Sequence, residues 1–140
     1  MRNNVEPLPA PKAAESEKIT INLGYVDLGR IDLLVREGFY SNRADLIRTA
    51  IRNHLASHLE ALDTSVTRNA MDLGLRDFGR EELEGALDRG QPLHIKVVGL
   101  ARIALDVTPE LARAAIASVT VLGALKASPE VKAALADRTR

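Results

Sequence analysis

The chain has 140 residues, room for one or two small domains, and a hydrophobic fraction of 46%, enough for a packed core. Its 19 basic and 19 acidic residues balance, which argues against coating nucleic acid by charge alone, and 3% aromatics leave no platform for stacking single-stranded bases. With no cysteine there is neither disulfide nor thiolate chemistry. No stretch reaches membrane-spanning length and the first residues lack a signal-peptide apolar run, so a cytoplasmic protein is expected.

Residues 1–16 carry Pro7, Pro9 and Pro11 and little that could pack, and are expected to form a disordered arm. The segment Lys18-Ile19-Thr20-Ile21-Asn22-Leu23 then alternates polar and apolar residues, the period of a half-buried strand. A helix is expected from about Val26 to Glu37, with Leu28, Ile31, Leu34 and Val35 on one side. Gly38 follows, where a left-handed residue can end it. A second helix is expected from an N-cap at Ser41 to about Leu59, with Ile47, Ala50, Ile51 and Leu55 as its stripe.

One strand and two helices of roughly 40 residues sit near the lower limit for independent folding. A lone strand also leaves its edge groups unpaired. The economical solution is a two-fold dimer in which the strands of two chains pair antiparallel. Its expected core is Ile19, Ile21, Leu23, Ile31, Leu34, Ile47 and Ile51. The outer face of the ribbon then presents Lys18, Thr20 and Asn22, and a two-stranded ribbon fits the DNA major groove.

These pieces together resemble the ribbon-helix-helix DNA-binding domain of the Arc, MetJ and CopG-like repressors. The matching features are the KITINL strand, the helix ending in Glu37-Gly38-Phe39, the turn through Ser41-Asn42-Arg43, and the following Asp45-Leu46-Ile47-Arg48-Thr49-Ala50-Ile51. The resemblance covers residues 17–59. It implies regulation of transcription at palindromic or tandem operators in double-stranded DNA, bound by dimers of dimers.

The donors on the expected ribbon suit base edges: Lys18 to guanine, Asn22 to adenine, Thr20 to either kind of partner or a thymine methyl. Ser41, Asn42 and Arg43 surround a helix N-terminus, where free amides and the dipole favour a phosphate. Arg48 and Arg52 lie four apart on the same helix and are further phosphate candidates. A solvated strand face and an ordinary helix cap are the bland alternatives. His54 and His58 are also four apart, but no cysteine and no third ligand accompany them, so neither metal nor cofactor is expected.

Asp63-Thr64-Ser65 reads as the break to a second region, giving an expected division into an arm at 1–16, a ribbon-helix-helix domain at 17–62 and a C-terminal domain at 63–140. Three alternating segments recur there, at Met71–Leu75, Ile95–Gly99 and Val119–Gly123, with Met71, Ile95 and Val119 24 apart. Helix candidates follow at Arg80–Arg89, Pro109–Ile116 and Pro129–Ala136. The last two open with Thr108-Pro109-Glu110 and Ser128-Pro129-Glu130, strong start signals. Three strand-helix units predict a small α/β repeat with parallel strands, so the whole chain is α+β. No catalytic constellation is present, and no enzyme is expected.

The reading that follows is a dimeric, nucleoid-associated DNA-binding regulator, most simply a repressor, whose C-terminal repeats join copies into higher oligomers. Its partners are double-stranded DNA and itself, with no membrane. The alternatives are the antitoxin of a toxin–antitoxin pair, with a toxin protein as a further partner, and a DNA-tethered self-assembling protein.

Overall fold

The computed structural model describes residues 16–140, so the arm expected at 1–16 lies, but for Ser16, outside the described residues. The chain divides into two compact units between Leu59 and Glu60.

In the first unit, helix α1 spans Tyr25–Arg36 and helix α2 spans Arg43–Ala56. Gly38, at φ 87°, ends α1 as expected. The Phe39 amide donates to the Leu34 carbonyl at 3.0 Å and the Gly38 amide to that of Val35 at 3.1 Å, the paired bonds of a Schellman cap. The α2 N-cap is Asn42, not Ser41: the Asn42 side chain accepts from the Asp45 amide at 2.8 Å. Asp45 in turn accepts from the Ser41 amide and hydroxyl, so the cap closes reciprocally.

Residues 18–23 have no ladder partner within the single chain, and the ribbon expected of them needs a second copy. Two expectations do change here. The second helix stops at Ala56, where the Ser57 hydroxyl donates to the His54 carbonyl at 2.5 Å and competes with helix continuation. A separate helix α3 spans Leu59–Arg68, so Asp63-Thr64-Ser65 lies inside a helix rather than at a break. Its stripe of Leu59, Leu62 and Val66 has helical spacing, and polar residues at 63–65 are merely its other side.

The second unit contains three parallel strands, β1 at Asp72–Phe78, β2 at Leu93–Ile103 and β3 at Ile116–Lys126, in the order β1-β2-β3. Helices α4 at Arg80–Asp88, α5 at Pro109–Ala115 and α6 at Pro129–Ala134 follow them in turn. Thr108 and Ser128 cap α5 and α6 through their side-chain oxygens, with Pro109 and Pro129 in the first turn, as their sequence predicts. The core holds Leu83, Ile95, Val97, Ile116, Val119, Val131 and Leu135, all essentially inaccessible. It lies between the helices and the sheet face formed by alternate strand residues.

The repeat is not uniform. Strand β2 pairs with β3 at the expected offset of 24, Ile95 opposite Val119, but β1 pairs with β2 at 25, Asp72 opposite Val97. Gly74, Gly99 and Gly123 align in one row across the sheet, all at positive φ (117°, 136° and 122°). A Cβ on Gly99 would stand 2.2 Å from the Gly74 carbonyl oxygen, and one on Gly123 would stand 2.1 Å from that of Gly99. Only this alignment fits three strands that close together in that conformation. One residue of slip turns side chains to the opposite face. Leu73 and Leu75 therefore join the side away from the helices.

That side carries Leu73, Val98 and Leu122 in one row, Leu75, Leu100 and Ala124 in the next, and Asp77, Arg102 and Lys126 beyond them. The β3 edge is partly closed by the chain's own end: Thr139 bridges Val119, and the Arg140 amide donates to the Val119 carbonyl at 2.8 Å.

Candidate nucleic-acid interface

The first unit has helices but no interior. Neither α1 nor α2 contains a buried residue. Ile19 is 72% exposed, Ile21 58% and Leu23 37%; Leu34 and Ile51 are exposed too, and Ile31 and Ile47 are half-buried. All seven are the residues expected to form a shared core. An isolated unit that leaves this much aliphatic surface in water has little to offset its chain entropy.

Lys18, Thr20 and Asn22 are exposed on the segment before α1. They alternate with Ile19 and Ile21, so if the segment is extended the two sets point to opposite faces.

At the start of α2 the geometry sorts the phosphate candidates. Arg43 forms a two-pronged pair with Asp32 of α1, Nε to Oδ1 and Nη2 to Oδ2 both at 2.7 Å. The hydrogen bonds from Arg43 hold the Asp32 carboxyl below its ordinary range, and those to Asp32 hold the guanidinium above its own. Arg43 thus acts first as a clip between the helices. The Asn42 and Ser41 side chains are engaged in the cap with Asp45. The amides at Arg43 and Ala44 are first-turn groups that a helix leaves without an internal acceptor. Arg48 and Arg52 make no salt bridge or side-chain hydrogen bond among the described residues and are exposed. Their heads are the cations of α2 with freedom to meet a phosphate.

The sequence reading missed Asp32. Its signal was present in principle, an acid on the outer side of α1, but a pair 11 residues apart across a turn has no spacing rule. His54 and His58 meet edge to face, ring centroids 5.0 Å apart, and no group of three metal-ligating side chains occurs among the described residues. In the second unit a cleft of about 420 Å³ opens at the carboxyl ends of the strands, lined by Phe78, Ile103, Leu105 and Lys126 among others. Its Asp77 and Arg102 bind one another at 2.7 Å. The hydrogen bond from Arg102 keeps Asp77 below the ordinary carboxylate range.

The ribbon-helix-helix transcriptional regulator family matches residues 14–132. The chain belongs to that family. The match runs through the expected ribbon and both helices and on through the strand-helix repeats as far as α6, so it takes in both units. No curated protein and no solved structure matches the chain significantly. Family membership makes the protein a DNA-binding transcriptional regulator of a kind that is normally not an enzyme. No helix among the described residues is long and apolar enough to cross a membrane.

Proposed function

We propose that the protein is a site-specific repressor that binds operator DNA as a homodimer. Residues 18–23 of two chains pair as an antiparallel ribbon, which places Lys18, Thr20 and Asn22 in the major groove. Ile19, Ile21 and Leu23 close inward against Ile31, Leu34, Ile47 and Ile51 of both chains. The α2 N-terminus that Ser41 and Asn42 cap, through the amides of Arg43 and Ala44, and the cations Arg48 and Arg52 hold the flanking phosphates. Arg43 contributes by fixing α1 against α2.

The observation that carries this reading is the first unit's lack of any buried residue in α1 and α2 beside a row of exposed aliphatic side chains. Such a unit gains its core from a second copy, and the ribbon that builds the core also presents the polar face. A segment that folds only on a toxin is what the antitoxin reading calls for. The second unit instead has its own buried core, which favours a role in joining copies on adjacent sites. The repressor works where its DNA is, at the nucleoid.

The test is recovery of bound fragments from random and genomic DNA, followed by quantitative titration. A recurrent two-fold or tandem motif bound well above random sequence supports the proposal. Uniform binding to all fragments contradicts it.

A further inference from the structure

Purely parallel sheets are almost always covered on both faces. Here α4, α5 and α6 cover one face, while the other carries two apolar rows in register across all three strands. Leu73 is 66% exposed and Leu122 58%. Isolated surface leucines need no explanation; a continuous patch over a whole parallel sheet does.

We propose that this open face packs against the same face of a second copy, about a two-fold axis parallel to the strands. The inference deepens the oligomerisation part of the proposed function and rests on it only for the nearness of a second chain. Three properties of the face select this occupant.

The first is shape. A two-fold parallel to the strands lays β1 of one copy over β3 of the other. Leu75 then meets Ala124 of the second copy, large against small, Leu73 meets Leu122, and Val98 and Leu100 meet their own counterparts on the axis. Alternating large and small residues is how facing layers interdigitate.

The second is charge. In the row Asp77–Arg102–Lys126, the same operation places Asp77 over Lys126 of the second copy, twice per pair. Arg102 is already neutralised by its own Asp77. Lys96 and Arg102, on the axis at opposite ends of the face, can lay their stems on apolar surface and turn their heads to water. The alternative in-plane axis, perpendicular to the strands, would set Arg102 against Lys96 twice and bring no cation of the second copy to Asp77, so it is disfavoured.

The third is area. At ordinary strand spacing and rise the three strands present roughly 460 Å² per copy, about 900 Å² in all, too little for two free chains to hold together and enough for two chains already tethered. A ribbon-paired dimer raises the local concentration of the second face to the level at which such an interface closes.

The test uses the full-length chain, which has no cysteine of its own. Leu100→Cys puts one thiol on the proposed axis, and Glu84→Cys puts one on the exposed side of α4 as control. Under mild oxidation, Leu100→Cys should form disulfide-linked pairs at least ten times faster than Glu84→Cys. Adding Leu122→Asp should abolish the difference without loss of helix content. Lys126→Asp should slow the linking, and Asp77→Lys in the same chain should restore it. Equal linking rates for the two cysteines, or linking that ignores Leu122→Asp, overturns the proposal and leaves the face to a different protein or to another part of this chain. Repeating Leu100→Cys in an Ile21→Lys background separates the two readings. Linking slowed together with DNA binding, and recovered by raising the protein concentration, supports both. DNA binding retained there contradicts the ribbon alone.

Discussion

Gly99 shows how one residue can set the register of a sheet. With φ at 136° and the Gly74 carbonyl oxygen 2.2 Å from any added Cβ, Gly99→Ala should destabilise the second unit by at least about 2 kcal/mol, read as a lower unfolding midpoint. The opposite case is Ala70, which ends α3 at φ 51° in the place where glycine is usual. The Met71 amide donates to the Val66 carbonyl at 3.0 Å and the Ala70 amide to that of Thr67 at 3.1 Å, so the cap is fully formed despite the methyl group. Ala70→Gly should therefore raise stability by about 1 kcal/mol in the same measurement, because a left-handed L-residue is strained by that order. An unchanged or lowered midpoint would mean that unfolded-state entropy outweighs the relief.

Among the elements, those with local signals were legible in the sequence. Gly38 ends α1, and Thr108-Pro109 and Ser128-Pro129 open α5 and α6, because each cap is a property of a few adjacent residues. The break after Ala56 was not legible, since it depends on a Ser57 hydroxyl that could equally have faced solvent. The 25-residue offset between β1 and β2 was missed because alternation alone also fits 24. The glycine row decides between them, and it works only through contact across strands. Of the candidate site, the alternation of Lys18, Thr20 and Asn22 with Ile19 and Ile21 was visible; the Arg43–Asp32 clip was not. That clip carries an acid dependence. Asp32 has a folded pKa below its unfolded value of about 3.9, so its contribution is present above that pH and is lost as pH falls through the folded value. Wild type and Asp32→Asn should differ in the helical unfolding of the first unit at neutral pH, and the difference should shrink as pH falls below about 4 and vanish once pH is below the folded value. A difference that persists into acid would assign the effect to something other than the ion pair.

At the scale of the whole molecule, one unit lacks an interior and the other lacks a cover for its sheet, and both deficits are of a kind that a second copy of the chain can fill. Removing residues 72–140, which keeps α3 and its cap intact, should leave a protein that binds a single operator but fills neighbouring operators independently. Titration of one-site and two-site DNA would show this, and unchanged cooperativity would remove the second unit from assembly. The central claim is that residues 18–23 read the operator. It is tested most directly by titrating the recovered site and random DNA with wild type and with Lys18→Ala, Thr20→Ala and Asn22→Ala. Each substitution should cost about 1–3 kcal/mol on the operator and little on random DNA, whereas Arg48→Ala should weaken both alike and lower the salt dependence. If all three strand variants keep the wild-type ratio of operator to random affinity, the ribbon does not read the DNA.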